Sequence, residues 1–265
     1  MTREWTPDDP VDVLTAIAGT PRLLIALDFD GTASPLVDDP MSARALPVVS
    51  EAVERLTALP HTTVAYVSGR SLPDLREIAE HGDDSPVTLA GSHGAQYWFP
   101  GEGEVDVLAA DDGDDVRAEL WAVAQPIIDR YDGVELERKS FGLGVHGRRA
   151  QPDAENAAFA EVDELMAQRH PQWRRRQGNH ILEFSSRVEG KDTAIGVLRE
   201  RFDATGILFA GDDVTDEDAL RVLGPGDLGV RVGPGETAAT VRVRTPQEIG
   251  ALLNVLADER AAAQE

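Results

Sequence analysis

Short apolar runs alternate with stretches of helical periodicity along most of the chain. Residues 22–27 are largely apolar and stop abruptly at Asp28-Phe29-Asp30-Gly31-Thr32, which reads as a buried strand feeding a loop. Residues 47–59 place Val49, Val53, Leu56 and Leu59 at helical spacing, and residues 62–67 read as a second buried strand ending at Ser68-Gly69-Arg70. Ser71-Leu72-Pro73-Asp74 is a capping box that opens a helix. Residues 87–90 predict a third strand, followed by Gly91-Ser92-His93-Gly94. From Lys191 the alternation resumes: a helix to Arg201, a strand at 207–210 ending in Gly211-Asp212-Asp213, a helix from Asp216, a strand at 228–232 and a last helix from Pro246.

The middle of the chain has a different pattern. Residues 101–115 are rich in Gly, Asp and Glu, as a surface connection would be. Beyond them the spacing predicts a helix near 115–130, strands near 134–138 and 143–146, a second helix over 153–169, and strands near 173–176 and 180–184. A helix followed by two strands, repeated, suits an antiparallel sheet covered on one face by helices. The expected fold class is therefore α/β. Its parallel core is formed by residues 1–100 and 188–265 and is interrupted by an α+β domain over residues 101–187. Every conspicuous polar motif of the core follows a strand, and ligands bind at the carboxyl ends of strands in such sheets.

Composition narrows the function. The formal net charge of −23 argues against a nucleic-acid or anionic-membrane surface. No apolar run is long enough to cross a bilayer, and residues 1–20 lack the basic start and apolar middle of a signal peptide. Cysteine is absent, which excludes disulfides and thiolate metal sites, and a cytoplasmic enzyme is the simplest fit. Lys139 and Lys191 are the only lysines in a chain that uses arginine freely. Codon usage or adaptation to salt accounts for the depletion. The two survivors stand out, because an ammonium is a compact point charge that arginine cannot copy.

Asp28 and Asp30 lie two apart after a buried strand, so both face one site if the extended geometry persists. One carboxylate can attack phosphorus while the other passes a proton to the leaving oxygen and later activates water. Thr32 offers a hydroxyl and an N–H to phosphate oxygens. Taken alone, the motif is equally an acidic turn. Gly211-Asp212-Asp213-Val214-Thr215-Asp216-Glu217-Asp218 is the second acidic cluster, and its oxygens suit magnesium. Its spacing does not match a calcium-binding helix–loop–helix loop. Asp216, Glu217 and Asp218 are accounted for as the cap and acidic first turn of the following helix, whereas Asp212 and Asp213 lie too far upstream for that. Ser68 is either a turn residue or a phosphate donor, and Lys191 either a surface charge or a partner for a transferring phosphoryl group.

The order Asp-x-Asp-Gly-Thr, strand–Ser, Lys, Gly-Asp-Asp resembles the four motifs of the haloacid dehalogenase-like phosphohydrolases over essentially the whole chain. The resemblance implies a Rossmann-like core with an inserted second-type cap, because the insertion lies between Ser68 and Lys191. It implies that Asp28 is the nucleophile and Asp30 the general acid and base. Thr32, Ser68, Gly69 and Lys191 would bind the phosphoryl group. Mg2+ would be held by Asp28, Asp212 and the backbone carbonyl of Asp30, with Asp213 as an auxiliary residue.

Within that superfamily the chain is similar to the trehalose-6-phosphate phosphatases. The carriers are Val67-Ser68-Gly69-Arg70, Gly91-Ser92-His93-Gly94-Ala95, Glu137-Arg138-Lys139-Ser140, Val145-His146-Gly147-Arg148 and, most specifically, residues 211–218. By this resemblance Arg70 and His93 line the core side of a sugar-phosphate site, and Glu137, Lys139, Arg148 and Glu183 grip the sugar from the cap. A disaccharide phosphate needs such carboxylates and cations. It also implies that the substrate lies between core and cap, and that the enzyme has a functional link to a trehalose-phosphate synthase. Gln96, Gly147, Asn179 and Ser185-Ser186-Arg187 depart from the family pattern near the expected sugar-binding surface. They leave open a phosphatase for sucrose phosphate or a glucosylglycerol-type phosphate. A silent sugar-phosphate-sensing partner of a synthase is a further alternative, though no motif residue is lost.

Overall fold

The strand at the centre of the molecule carries five consecutive apolar residues, all fully buried, which only a strand covered on both faces can accommodate. It is β2, Leu23–Leu27, in a computed structural model that describes residues 2–6, 12–105, 114–187 and 189–264. Its residues alternate between two cores. Leu23, Ile25 and Leu27 pack into one, and Leu24 and Ala26 into the other.

The chain divides into two compact units, residues 1–107 with 189–265, and residues 108–188. The first unit begins with β1 (Arg3–Glu4), α1 (Asp12–Ala18), β2, α2 (Pro47–Thr57), β3 (Thr62–Val67), α3 (Leu72–Ile78), β4 (Thr88–Gly91), β5 (Gln96–Phe99) and β6 (Gly103–Val105). The second unit supplies α4 (Asp114–Ile128), β7 (Glu135–Lys139), β8 (Gly142–His146), α5 (Pro152–Arg169), β9 (Arg174–Gly178) and β10 (Ile181–Ser185). The first unit then resumes with α6 (Lys191–Arg201), β11 (Gly206–Gly211), α7 (Asp216–Val222), β12 (Leu228–Val232), β13 (Val241–Val243) and α8 (Pro246–Ala262). Among the described residues no helix is long and apolar enough to cross a membrane.

The sheet of the first unit runs β1-β13-β12-β11-β2-β3-β4-β5-β6, parallel from β1 to β4 and antiparallel at β5 and β6. Helices α1, α2, α3 and α8 cover one face, and α6 and α7 the other. After β2 the chain builds outward through β3 and β4, then returns to fill the opposite side with β11, β12 and β13. The strand order therefore reverses beside β2, where a crevice opens at the carboxyl ends. The antiparallel β5–β6 pair was not legible in the sequence: residues 103–105 fall inside the Gly- and acid-rich stretch read as a connection. Residues 106–113 of that stretch lie outside the described residues.

In the second unit the order β7-β8-β10-β9 is antiparallel throughout. Leu143, Val145, Leu182 and Phe184 share a core with Leu120, Ala124 and Ile128 of α4 and Phe159, Val162 and Met166 of α5. Both helices therefore cover one face of the sheet, as the repeated pattern predicts.

One buried charge holds the end of the first unit opposite the crevice. Arg260, on α8 and 2% exposed, donates to the carbonyls of Ala18 at 2.6 Å, His61 at 3.0 Å, Thr20 and Pro21, and to Thr62 Oγ1. These acceptors cluster where α1 leads into β2 and where β3 begins. Replacing Arg260 with Met is expected to remove this shared buried donor and lower stability by about 3 kcal/mol, read as a lower midpoint in urea unfolding.

Candidate active site

Three neighbouring parallel strands deliver their next residues to one place. β2 runs into Asp28, β3 into Ser68 and β11 into Asp212. Asp28 keeps the alternation of Leu24 and Ala26, so it points to the sheet face covered by α6, where Lys191 is the first helical residue. The Lys191 ammonium lies 2.5 Å from Asp28 Oδ1 and 2.6 Å from Asp216 Oδ1. All three side chains are buried: Lys191 is 3% exposed, Asp28 5% and Asp216 0%.

Asp216, Glu217 and Asp218 form the acidic first turn of α7, as expected, but none of them is its cap. Thr215 occupies the cap position of α7, while the second oxygen of Asp216 accepts the backbone N–H groups of Asp212 at 2.9 Å and Asp213 at 2.8 Å. One carboxylate thus holds both the loop after β11 and the Lys191 ammonium. Glu217 is also buried, accepting from the Ala238 N–H at 2.8 Å and from Arg231. No sequence signal separated these two from the ordinary acidic residues at a helix start.

The carboxylate oxygens of Asp28, Asp212 and Asp216 lie within 4.8 Å of one another. Gly31 makes this approach possible: at φ +83° it adopts a left-handed conformation, and a Cβ there would sit 2.1 Å from Asp212 Oδ2. Burial, aided by Asp216 and Asp212, pushes the Asp28 carboxyl well above its ordinary range despite the pull of Lys191. Burial and Asp216 raise Asp212 to about 7. Burial opposes charge on Lys191, yet Asp216 and Asp28 outweigh it and raise its pKa. Three carboxylates face one ammonium, so the cluster is short of positive charge. Asp212 Oδ1 is buried with no hydrogen-bond partner among the described residues. A hard divalent cation fits both deficits.

The remaining expected residues of the first unit fall around this cluster. Thr32 is fully buried, and its hydroxyl has no partner among the described residues. Ser68 is 2% exposed and accepts the Arg70 N–H at 3.2 Å. His93 is 8% exposed and rests on Gly69, where a Cβ would meet its ring at 2.6 Å. Asp213 is partly buried; its N–H is spent on Asp216 and its carbonyl accepts from Arg231. The Asp30 carboxylate does not join the three-acid cluster and is instead held by Arg70. Gln96 Oε1 accepts from the Leu72 N–H and the Ser92 hydroxyl, so this departure from the family pattern is an internal tie.

The second unit contains a separate charged cluster on the sheet face away from its helices. Pairing places Glu137, Gly144, Glu183 and Arg176 in one row. Lys139 reaches from β7 across that row to Glu183 on β10 and lies 3.3 Å from Glu137 Oε2. Gly144 leaves the passage open, since a Cβ there would lie 2.9 Å from Glu137 Oε2 and 3.0 Å from Lys139 Cε. His146 Nε2 lies 2.8 Å from Glu137. Burial alone would push Glu137 up, but Lys139 and His146 hold it near 2, while Glu183 and Glu137 raise Lys139 against its own burial. Arg148 sits exposed on the turn after β8. Gly147 is explained by packing, as a Cβ would lie 2.4 Å from Cγ of Glu155, which holds His180. Arg176 and His146 were missed, because only strand register puts them beside Glu183 and Glu137.

A sequence profile described as trehalose-phosphatase matches residues 26–247. The chain is 29% identical over 274 aligned positions to a trehalose 6-phosphate phosphatase of Zea mays, covering 95% of this chain and 74% of that protein. It is 31% identical over 260 positions to a trehalose-phosphate phosphatase of Mycobacterium avium, covering 89% of this chain and 62% of the relative, so it spans under two thirds of that protein's length. In three dimensions it resembles the C-terminal domain of Candida albicans trehalose-6-phosphate phosphatase, with a TM-score of 0.82, 22% identity and coverage of 97% of this chain and 98% of the other. With the profile spanning both the Asp28 loop and the Asp212 loop, the chain belongs to the trehalose-phosphatase family.

Proposed function

We propose that this chain is a magnesium-dependent phosphatase that converts trehalose 6-phosphate to trehalose and inorganic phosphate. The observation that carries the reading is Asp28, buried beside the Lys191 ammonium at the carboxyl end of the central strand, in a chain of this family. The first unit, residues 1–107 with 189–265, serves as the catalytic core and the second, residues 108–188, as the sugar-recognition domain, so the expected boundary at 100/101 moves past β6. The substrate forms in a synthase reaction that joins two sugars, which gives the enzyme its functional link to a trehalose-phosphate synthase in the cytoplasm.

In the first half of the reaction an Asp28 oxygen bonds to phosphorus as the bond from phosphorus to the sugar oxygen breaks, and the sugar oxygen takes a proton from Asp30. In the second half a water oxygen bonds to phosphorus, Asp30 takes the proton, and Asp28 is released as a carboxylate. Lys191, fixed by Asp216, offers its charge to the phosphoryl oxygens. The buried Thr32 hydroxyl, Ser68 and the Gly69 N–H supply further donors. Asp28, Asp212 and the Asp30 carbonyl would hold Mg2+, with Asp213 nearby. Bound there, the ion supplies charge that stabilises the phosphoryl oxygens. On the second unit, Glu137, Lys139, Glu183 and Arg148 receive the sugar hydroxyls. Gln96 and Gly147, two of the four departures that favour another sugar phosphate, are accounted for by internal packing.

Phosphate release should be strongest from trehalose 6-phosphate among sugar phosphates and should stop on addition of chelator. A preference for sucrose phosphate would replace the substrate and keep the chemistry. Asp28→Asn is expected to lose activity by about 10^4-fold or more with an unchanged circular dichroism spectrum. Magnesium at about a hundred times its Kd should stabilise the wild type by about 2.7 kcal/mol in thermal unfolding, and Asp212→Asn should lose most of that gain. Lys139→Ala should raise KM for trehalose 6-phosphate at least about tenfold while leaving hydrolysis of p-nitrophenyl phosphate nearly unchanged.

A further inference from the structure

The family resemblance turns Arg70 toward the substrate, but in this structure its guanidinium is committed to Asp30. Nε donates to Asp30 Oδ2 at 2.6 Å and Nη2 donates to Oδ1 at 2.6 Å, forming a two-pronged fork. The side chains are only 16% and 29% exposed, so the pair is partly withdrawn from water. Such forks fix the plane of a carboxylate as well as its position, which a lysine ammonium cannot do.

The backbone beneath Arg70 is anchored at both ends. Its N–H donates to Ser68 Oγ at 3.2 Å, and its carbonyl accepts the Ser92 N–H at 2.6 Å. Ser92 belongs to a turn in which Ser92, His93 and Gly94 have φ of +49°, +58° and +96°. Two consecutive non-glycine residues in the left-handed region are strained, and they persist where the surroundings enforce them. The enforcing contacts here are His93 N–H to Ser68 O at 2.9 Å and the Ser92 hydroxyl to Gln96. This turn after β4 therefore steadies Arg70 after β3, and Arg70 fixes Asp30 after β2.

We propose that Arg70 is a positioning residue for the water-attack half of the reaction, its fork orienting Asp30 to accept the proton of the attacking water. The inference rests on the function proposed above. In that step the water oxygen bonds to phosphorus, the bond from phosphorus to Asp28 Oδ breaks, the water proton passes to an Asp30 oxygen, and inorganic phosphate leaves. An ionised carboxylate offers about four acceptor sites, and the fork fills two, leaving one on each oxygen for the water. Without the fork Asp30 can rotate on its loop, and a displacement of about 1 Å costs about 100-fold in rate.

The test is stopped-flow hydrolysis of p-nitrophenyl phosphate with magnesium by the wild type, Arg70→Ala and Arg70→Lys, with acid-quench measurement of phosphorylated protein. Nitrophenolate leaves without a proton, so the first phase reports phosphorylation of Asp28 and the steady phase reports water attack. Both variants are expected to phosphorylate within about threefold of the wild-type rate, to turn over on the order of 10- to 100-fold more slowly, and to accumulate phosphorylated protein. Three results would overturn the proposal. The first is a first phase slowed as much as turnover. The second is a raised KM for trehalose 6-phosphate at unchanged kcat, which would make Arg70 a substrate ligand. The third is wild-type turnover in Arg70→Lys, which would mean that charge suffices without the fork. If Arg70→Ala fails to fold by circular dichroism, Arg70→Lys decides alone. A wild type that releases phosphate from neither ester defeats the functional reading and this proposal together, whereas the Arg70 results defeat this proposal only.

Discussion

The first unit is organised around one buried ammonium. Lys191 is 3% exposed, and a charge withdrawn that far from water is tolerated only when it is paired and hydrogen-bonded. Asp28 and Asp216 meet that requirement, and in doing so they join three parts of the chain that are distant in sequence. Asp28 extends the central strand, Lys191 opens α6, and Asp216 lies at the start of α7. Asp216 in turn fixes the backbone of Asp212 and Asp213. Losing any one partner would strand a buried charge, so the cluster is held as a unit.

The same cluster carries more negative charge than the lysine can balance, and the excess links structure to chemistry. Packing Asp212 against Gly31 brings a third carboxylate to a place where one of its oxygens is buried with no donor among the described residues. A well-satisfied structural network would not leave that deficit. A hard cation is the kind of partner that would fill it. The Asp30–Arg70 fork beside it is internally balanced and needs no ion. Two acidic residues two positions apart thus have different electrostatic neighbourhoods.

The second unit applies the same principle on an open sheet face. Lys139 sits between Glu137 and Glu183, and Gly144 keeps the way clear for its reach. Both lysines of the chain occupy charged clusters of this kind. Their survival in a sequence otherwise stripped of lysine reflects a compact charge that has to fit between two carboxylates.

Much of this was written locally. The parallel strands, the helices that follow them and the helix–strand–strand repeat of the middle segment were legible, because hydrophobic period and punctuation are properties of neighbouring residues. The Asp28, Ser68, Lys191 and Asp212 motifs were legible for a related reason: each stands directly at the end of a strand or the start of a helix. Tertiary structure decided what depends on register and on contacts between distant segments. It separated Asp216 and Glu217 from ordinary acidic residues of a first helical turn, and it assigned Arg70 to Asp30. It also set Arg176 and His146 beside Glu183 and Glu137, and it added the β5–β6 edge. A sequence records which charges exist, but a buried charge is defined by the partner that packing brings to it, and that partner is fixed only once the strands are in register.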